Sequence, residues 1–298
     1  MTLQSKTLKG TGVALVTPFM KNGRVDYKSL KKLVSHTLRG KCEYLVPLGT
    51  TGESVTLTDE EKSGVMDCVT EAVAGKVPVV MGAGGNNTAA LIEKLTPDTL
   101  KGVAALLSVS PYYNRPSQKG IIAHYKALAA ASPLPLILYN VPARTGSNMS
   151  ADTTLELAHG VKGIIGIKEA SGDVELAMNI LARRPSGFLV ISGDDALTLP
   201  LMAAGADGSI SVVANLFPGI FSGMVRAMLE NDLRKARILH YRLLPLIPLL
   251  FAEGNPSGIK QALEWAGLCG SSVRLPLTGI SVRLTTELEK VCKSVSGK

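Results

Sequence analysis

The chain has 298 residues, 46% hydrophobic and 19% charged, a composition that excludes a disordered polypeptide and supplies apolar material for a large core. The formal net charge of +8 is scattered and only 4% of residues are aromatic, so a nucleic-acid surface is not expected, whereas small anionic substrates fit. Cys42, Cys68, Cys269 and Cys292 lie far apart without a C-x-x-C pair, which excludes a zinc knuckle or disulfide framework and fits free thiols in a reducing compartment.

From the start, MTLQSKTLKG lacks the apolar region of a signal peptide. GVALVTP (12–18) reads as a first strand, followed by helical periodicity over Tyr27 to Leu38. YLVPLG (44–49) is the second strand and runs into GTTGES, ahead of a helix over Asp59 to Ala74. That loop offers backbone N–H groups and the hydroxyls of Thr50 and Thr51 at a strand-to-helix junction, where an anion can be held. A turn with a helix cap is the alternative reading, and the lysine of a P-loop is missing.

VPVVMGAG (77–84) is the third strand; GAGGNN has Asn87 where a dinucleotide fingerprint needs its last glycine, so no nucleotide cofactor is expected. GVAALLSVSP (102–111) leads into PYYNRP, whose Tyr112 and Tyr113 read as either site residues or packing and interface anchors. A helix over Gly120 to Ala131 separates it from LPLILYN (134–140). The following YNVPARTG puts Tyr139 at a strand end and Arg144 in the loop, a residue suited to gripping a carboxylate bidentately, with a surface ion pair as the alternative.

After a helix over Ala151 to Ala158 comes GIIGIKEA (163–170), an apolar run that carries Lys168. A lysine ammonium entering such a strand must be exposed, paired or deprotonated. It either snorkels to water or presents an amine for attack on a carbonyl. At the reference pKa of about 10.4 only about one lysine in a few thousand is neutral at pH 7, so burial is one way to make a nucleophile. FLVISGDD (188–195) and DGSISVVAN (207–215) are the last strands. The pair Asp194 and Asp195 reads as helix capping, because His36, His124, His159 and His240 show no metal-ligand spacing and no metal is expected.

Eight apolar strands alternating with helices predict an α/β protein, a (β/α)8 TIM barrel over residues 1–231. Beyond Asn231 only helical patterns remain, over Asp232 to Phe251, Pro256 to Trp265 and Val282 to Val295, which predicts a small C-terminal helical domain over 232–298 packed on the barrel. LLPLIPLLF within it is too short for a bilayer and holds two prolines, so a cytoplasmic protein without a membrane partner is expected. In such a barrel the chemistry gathers at the C-terminal ends of the strands. Thr50, Thr51, Glu53, Tyr112, Tyr113, Tyr139, Arg144, Lys168 and Gly193 all fall there.

In order and spacing, GTTGES, PYYNRPSQ, YNVPARTG, GIKEASGD, SGDD and GSISVVAN, with RLPLTGI near the C-terminus, resemble the dihydrodipicolinate synthase family. That family lies within the pyruvate-dependent class I aldolases, which include N-acetylneuraminate lyase. The resemblance implies a Schiff base between Lys168 and pyruvate, and a proton relay of Tyr139, Thr50 and a Tyr113 that crosses from a neighbouring subunit. It further implies that Thr51 holds the pyruvate carboxylate, that Gly193 and Ile210 line the pocket, and that Arg144 binds L-aspartate 4-semialdehyde. The implied product is 4-hydroxy-tetrahydrodipicolinate, in lysine and diaminopimelate synthesis, made without a cofactor by a homotetramer of dimers.

The rival readings are a sugar-acid lyase of the same superfamily, such as N-acetylneuraminate lyase or a keto-deoxy sugar-acid aldolase, and a non-catalytic barrel that binds a keto acid. Arg144 with the paired threonines favours the synthase, since a compact carboxylate-bearing aldehyde needs a cation where a sugar needs hydroxyl partners. Lysine-inhibited members resemble one another in an interface site, whose scaffold persists as Ser54, Asn86 and Tyr112. Asp59 and Lys62 stand where histidines are common and Ala90 where a glutamate would take an ammonium, so weak or absent inhibition by lysine is expected.

Overall fold

The computed structural model describes residues 8–297. Its eight strands are β1 (Gly10–Ala14), β2 (Tyr44–Val46), β3 (Val80–Gly82), β4 (Ala105–Val109), β5 (Leu136–Asn140), β6 (Ile164–Glu169), β7 (Leu189–Ser192) and β8 (Gly208–Ser211). All pair in parallel, in the order β2-β1-β8-β7-β6-β5-β4-β3. A parallel bridge between Leu45 and Val79 joins the two ends and closes the barrel. Pro47 and Pro78 flank that seam and have no N–H to give, so it uses their carbonyls: Leu45 N–H donates to Pro78 O at 3.1 Å and Gly82 N–H to Pro47 O at 2.9 Å.

The strands are buried along almost their whole length, as sheets covered on both faces require. Tyr44 is fully buried and its ring packs onto the backbone at Gly12, where a Cβ would lie 2.2 Å from the ring, so only glycine admits it.

The surrounding helices are α1 (Tyr27–Arg39), α2 (Asp59–Val73), α3 (Thr88–Glu93), α4 (Gln118–Ala131), the single turn α5 (Pro142–Thr145), α6 (Ala151–Gly160), α7 (Val174–Arg183), α8 (Thr198–Ala203) and α9 (Pro218–Leu229). Their starts follow side-chain capping: Asp26, Asn87, Ser117, Ser150 and Asp173 each accept from a backbone N–H in the first turn, and Thr58 with Glu61 forms a capping box.

Four helices end the chain: α10 (Leu233–Leu243), α11 (Ile247–Phe251), α12 (Ser257–Trp265) and α13 (Val282–Ser296). The continuous helix expected over 232–251 is broken after Leu243 and resumes at Ile247, with Pro245 in the break and Pro248 in the new first turn. A proline lacks the amide and crowds the preceding turn, so it is tolerated only at such a start.

This region is anchored to the barrel by a buried ion pair. Lys260 of α12 is wholly buried and donates to Glu53 Oε1 at 2.5 Å and Ser272 O at 2.9 Å, with its Nζ 4.0 Å from the centre of the Phe19 ring. Burial, the larger effect, pushes the Lys260 ammonium below its ordinary pKa against the pull of Glu53. Removing one partner of such a pair costs about 3–5 kcal/mol, because a charge is left buried alone.

Candidate active site

Lys168 lies on β6 between its register partners Tyr139 on β5 and Ile191 on β7. It is 6% exposed, so it does not snorkel to water. Its Nζ stands 4.3 Å from the centre of the Tyr139 ring, and among the described residues it forms no ion pair. No counter-ion among the described residues occupies the amine, which leaves it free for covalent chemistry. Gly193 makes room for it: a Cβ there would lie 2.9 Å from Lys168 Cε and 2.5 Å from Ala170 Cβ. The Gly193 N–H donates to Glu169 O at 2.7 Å, fixing that close approach.

Tyr139 also lines a cavity of about 240 Å³ at the mouth of the barrel, together with Thr50, Val109, Tyr112 and Arg144. Arg144 closes the single turn α5, is exposed, and makes no ion pair among the described residues, so the surface salt bridge considered for it is not formed. The strand segments below hold its loop in place. Asn140 Nδ2 donates to Glu169 Oε2 at 2.9 Å and Asn148 Oδ1 at 2.7 Å, while its Oδ1 accepts from Met149 N–H at 3.0 Å. Glu169 also accepts from Ser171 N–H at 2.6 Å, and burial, the dominant effect, holds its carboxyl above the usual range.

GTTGES folds as two one-turn 3₁₀ helices, Thr50–Gly52 and Ser54–Thr56, with Glu53 between them in the left-handed region at φ 52°. The amides of Gly52 and Glu53 are taken by the carbonyls of Gly49 and Thr50, each at 3.1 Å, so the hydroxyls rather than these amides are left for a ligand. Thr50 faces the cavity, and Thr51 is 3% exposed with its Oγ1 accepting from Asn255 Nδ2 at 3.0 Å. Ile210, on β8 and register partner of Gly12, is buried, with only β7 between its strand and β6.

One expectation meets a different arrangement. Asp194 does turn back onto the amides of Ala196 and Leu197, at 2.8 and 3.1 Å, ahead of α8. Asp195 instead reaches across to the turn after β8 and accepts from Val212 and Val213 N–H at 3.1 and 2.9 Å. Burial, the largest cause, raises its carboxyl pKa to about 6. Tyr113, at φ 73°, is 85% exposed and outside the cavity lining, so one chain does not bring it to the site.

Ser54 and Tyr112 also border a second cavity of about 430 Å³ shared with Asp59 and Lys62, whereas Asn86 is exposed and outside its lining. Sequence reading did not single out Asn140, Glu169, Asn255 or Lys260. Glu169, a carboxylate inside an apolar strand beside Lys168, carried a readable signal; Asn255 and Lys260 sit among residues that give none.

A family model described as the dihydrodipicolinate synthetase family matches residues 7–295. The chain belongs to that family. It is 49% identical over 287 residues to a protein of Flavobacterium psychrophilum called 4-hydroxy-tetrahydrodipicolinate synthase, covering 96% of this chain and 98% of the relative. Its structure resembles that of the chloride-inhibited synthase of Acinetobacter baumannii complexed with pyruvate, with a TM-score of 0.94 and 40% identity over 97% of this chain and 99% of the other. A monomeric dihydrodipicolinate synthase variant matches with a TM-score of 0.95 and 37% identity over 98% of each chain. Family membership makes the chain an enzyme, a lyase of the class I aldolase type, built on the expected barrel. Among the described residues, no helix is long and apolar enough to cross a membrane, and no group of three His, Cys, Asp or Glu residues could hold a metal ion.

Proposed function

We propose that the chain condenses pyruvate with L-aspartate 4-semialdehyde to give 4-hydroxy-tetrahydrodipicolinate, for lysine and diaminopimelate synthesis. The observation that carries this reading is the buried amine of Lys168, without an ion pair among the described residues, against the ring of Tyr139, which lines a cavity together with the exposed Arg144. The Lys168 amine adds to the keto carbon of pyruvate, and loss of water gives an imine. The imine takes up the electron pair released when a methyl proton leaves, and the resulting enamine carbon attacks the aldehyde. The amino group of the second substrate then displaces Lys168 and closes the ring.

Tyr139 beside the amine and Thr50 on the cavity wall carry protons, with Tyr113 of an adjacent subunit completing the relay. Thr51 holds the pyruvate carboxylate, Gly193 and Ile210 shape the pocket, and Arg144 receives the carboxylate of the aldehyde. The outward-facing Tyr113 supports a dimer as the catalytic unit, paired into a tetramer. A structural relative is a monomeric variant, so a fold of this kind does not itself require oligomerisation. The reading includes a cytoplasmic location and a division into a barrel, 1–231, and a helical domain, 232–298.

The pyruvate complex of a relative supports the first substrate, and the free guanidinium of Arg144 favours a carboxylate-bearing aldehyde over a sugar. The test is incubation with both substrates, coupled to a reductase that consumes the product. Cofactor oxidation dependent on both substrates is expected. No signal with an active reductase would overturn the assignment in favour of the sugar-acid aldolases.

A further inference from the structure

The C-terminal helical region grips the catalytic loop at two points. Lys260 holds Glu53, and five residues earlier Asn255, 7% exposed, donates from Nδ2 to Thr51 Oγ1 at 3.0 Å. Thr17 Oγ1 adds a third hold by donating to Gly52 O at 2.7 Å. The loop therefore has a fixed backbone, and the remaining freedom of Thr51 is the rotation of its O–H. A hydroxyl has one proton to give and two lone pairs. With Asn255 occupying a lone pair, the Thr51 proton must point elsewhere, and it has no protein acceptor among the described residues.

We infer that Asn255 is a positioning residue that acts through Thr51, orienting the hydroxyl so that its proton is donated to the carboxylate of the keto-acid substrate. The inference rests on the substrate assignment made above. Asn255 is suited to this because its amide can donate, which an aspartate cannot. Its buried Oδ1 has no hydrogen-bond partner among the described residues, so the bond to Thr51 is made by the nitrogen alone. The residue comes from outside the barrel and contributes to the site only by direction.

Asn255→Ala leaves the Thr51 hydroxyl free to rotate and should raise the KM for pyruvate about tenfold, the worth of one weakened bond to a charged group. The KM for aspartate semialdehyde and kcat should change little. Asn255→Asp keeps the shape but can only accept, so it captures the Thr51 proton and sets a negative charge near the carboxylate. Its pyruvate KM should exceed that of Asn255→Ala. Thr51→Val removes the mediator, so adding Asn255→Ala to it should cost no more, as expected of residues acting as one unit.

Melting temperatures identify any variant that is simply unfolded, and the near-isosteric exchange N255D keeps the question open to a decision if the alanine variant fails to fold. Additive losses in the double variant, or wild-type pyruvate KM in N255D, would overturn the inference. So would an equal rise in both KM values. Borohydride trapping of pyruvate on wild-type Lys168 separates the two levels: no adduct sinks the substrate assignment and this inference together, whereas an adduct with pyruvate affinity unchanged in N255A and N255D sinks this inference alone.

Discussion

Lys168 and Tyr139 are register partners on β6 and β5, and the amine of the first stands 4.3 Å from the centre of the phenol ring of the second. The strand pairing sets this juxtaposition, so it does not depend on a mobile loop. Pyruvate with borohydride should irreversibly label Lys168, because reduction converts the imine to a secondary amine. Tyr139→Phe keeps the ring under the amine but removes its O–H, and should lower turnover by roughly 10²- to 10⁴-fold while still being trapped. Peptide mapping decides; label on another lysine would remove the mechanism.

Arg144 has its guanidinium free at the cavity rim, away from the imine-forming amine. A charge-assisted bond is worth about 1.5–3 kcal/mol, so Arg144→Ala should slow condensation by at least about tenfold. Imine formation should be nearly unaffected. Single-turnover trapping measured beside the coupled assay separates the steps, and equal loss in both would contradict the division of labour.

The exposed ring of Tyr113 cannot serve the site of its own chain from its present position. Mixing Tyr113→Phe chains with Lys168→Ala chains, each inactive alone, should restore activity, because one site in each hybrid dimer holds both native residues. Verified hybrids without activity would place the function of Tyr113 within its own subunit.

L-Lysine should inhibit weakly or not at all. Asp59, at one of the positions where histidine is common, could receive an ammonium but is already engaged by Lys62 at 3.1 Å and Lys94 at 3.0 Å. A dibasic ligand would meet two cations and, at Ala90, no counter-charge, which should weaken it by roughly 10- to 100-fold. Half-inhibition at submillimolar lysine in the coupled assay would refute this.

Stability should decline as pH falls below 6.5. Burial, the first cause in each case, holds His36, His124 and His240 below their ordinary pKa of 6.5. The unfolded chain therefore binds more protons there, so this contribution is complete above pH 6.5 and lost as pH drops through the folded values. Each histidine contributes a slope of at most about 1.4 kcal/mol per pH unit. Asp195, raised to about 6 from 3.8, acts in the opposite sense: it penalises the fold above about 6, and the penalty is relieved as pH falls toward 3.8. Urea unfolding should give a falling free energy from pH 7 to 6 that flattens toward 5. A rise between pH 7 and 6 would be incompatible with buried neutral histidines.

By itself, the sequence determined the barrel, because strands covered on both faces need unbroken apolar runs and their helices need a periodic face and a cap. It also singled out Lys168, Tyr139 and Arg144, each a chemically anomalous residue at or just beyond a strand end, where this fold gathers its chemistry. The break between α10 and α11 was missed, because helical periodicity runs through it, although Pro245 and Pro248 mark the place.

Only the tertiary structure decided which distant groups meet. The barrel closes through Leu45 and Val79, Asp195 crosses to Val212 and Val213, and the room for Lys168 exists because Gly193 has no Cβ. Asn255 finds Thr51 across 204 positions and Lys260 finds Glu53 across 207. Local patterns record which face of a residue's own element is buried. A hydrogen-bond partner two hundred residues away leaves no such periodic trace, since it is fixed by the angle at which packed elements meet.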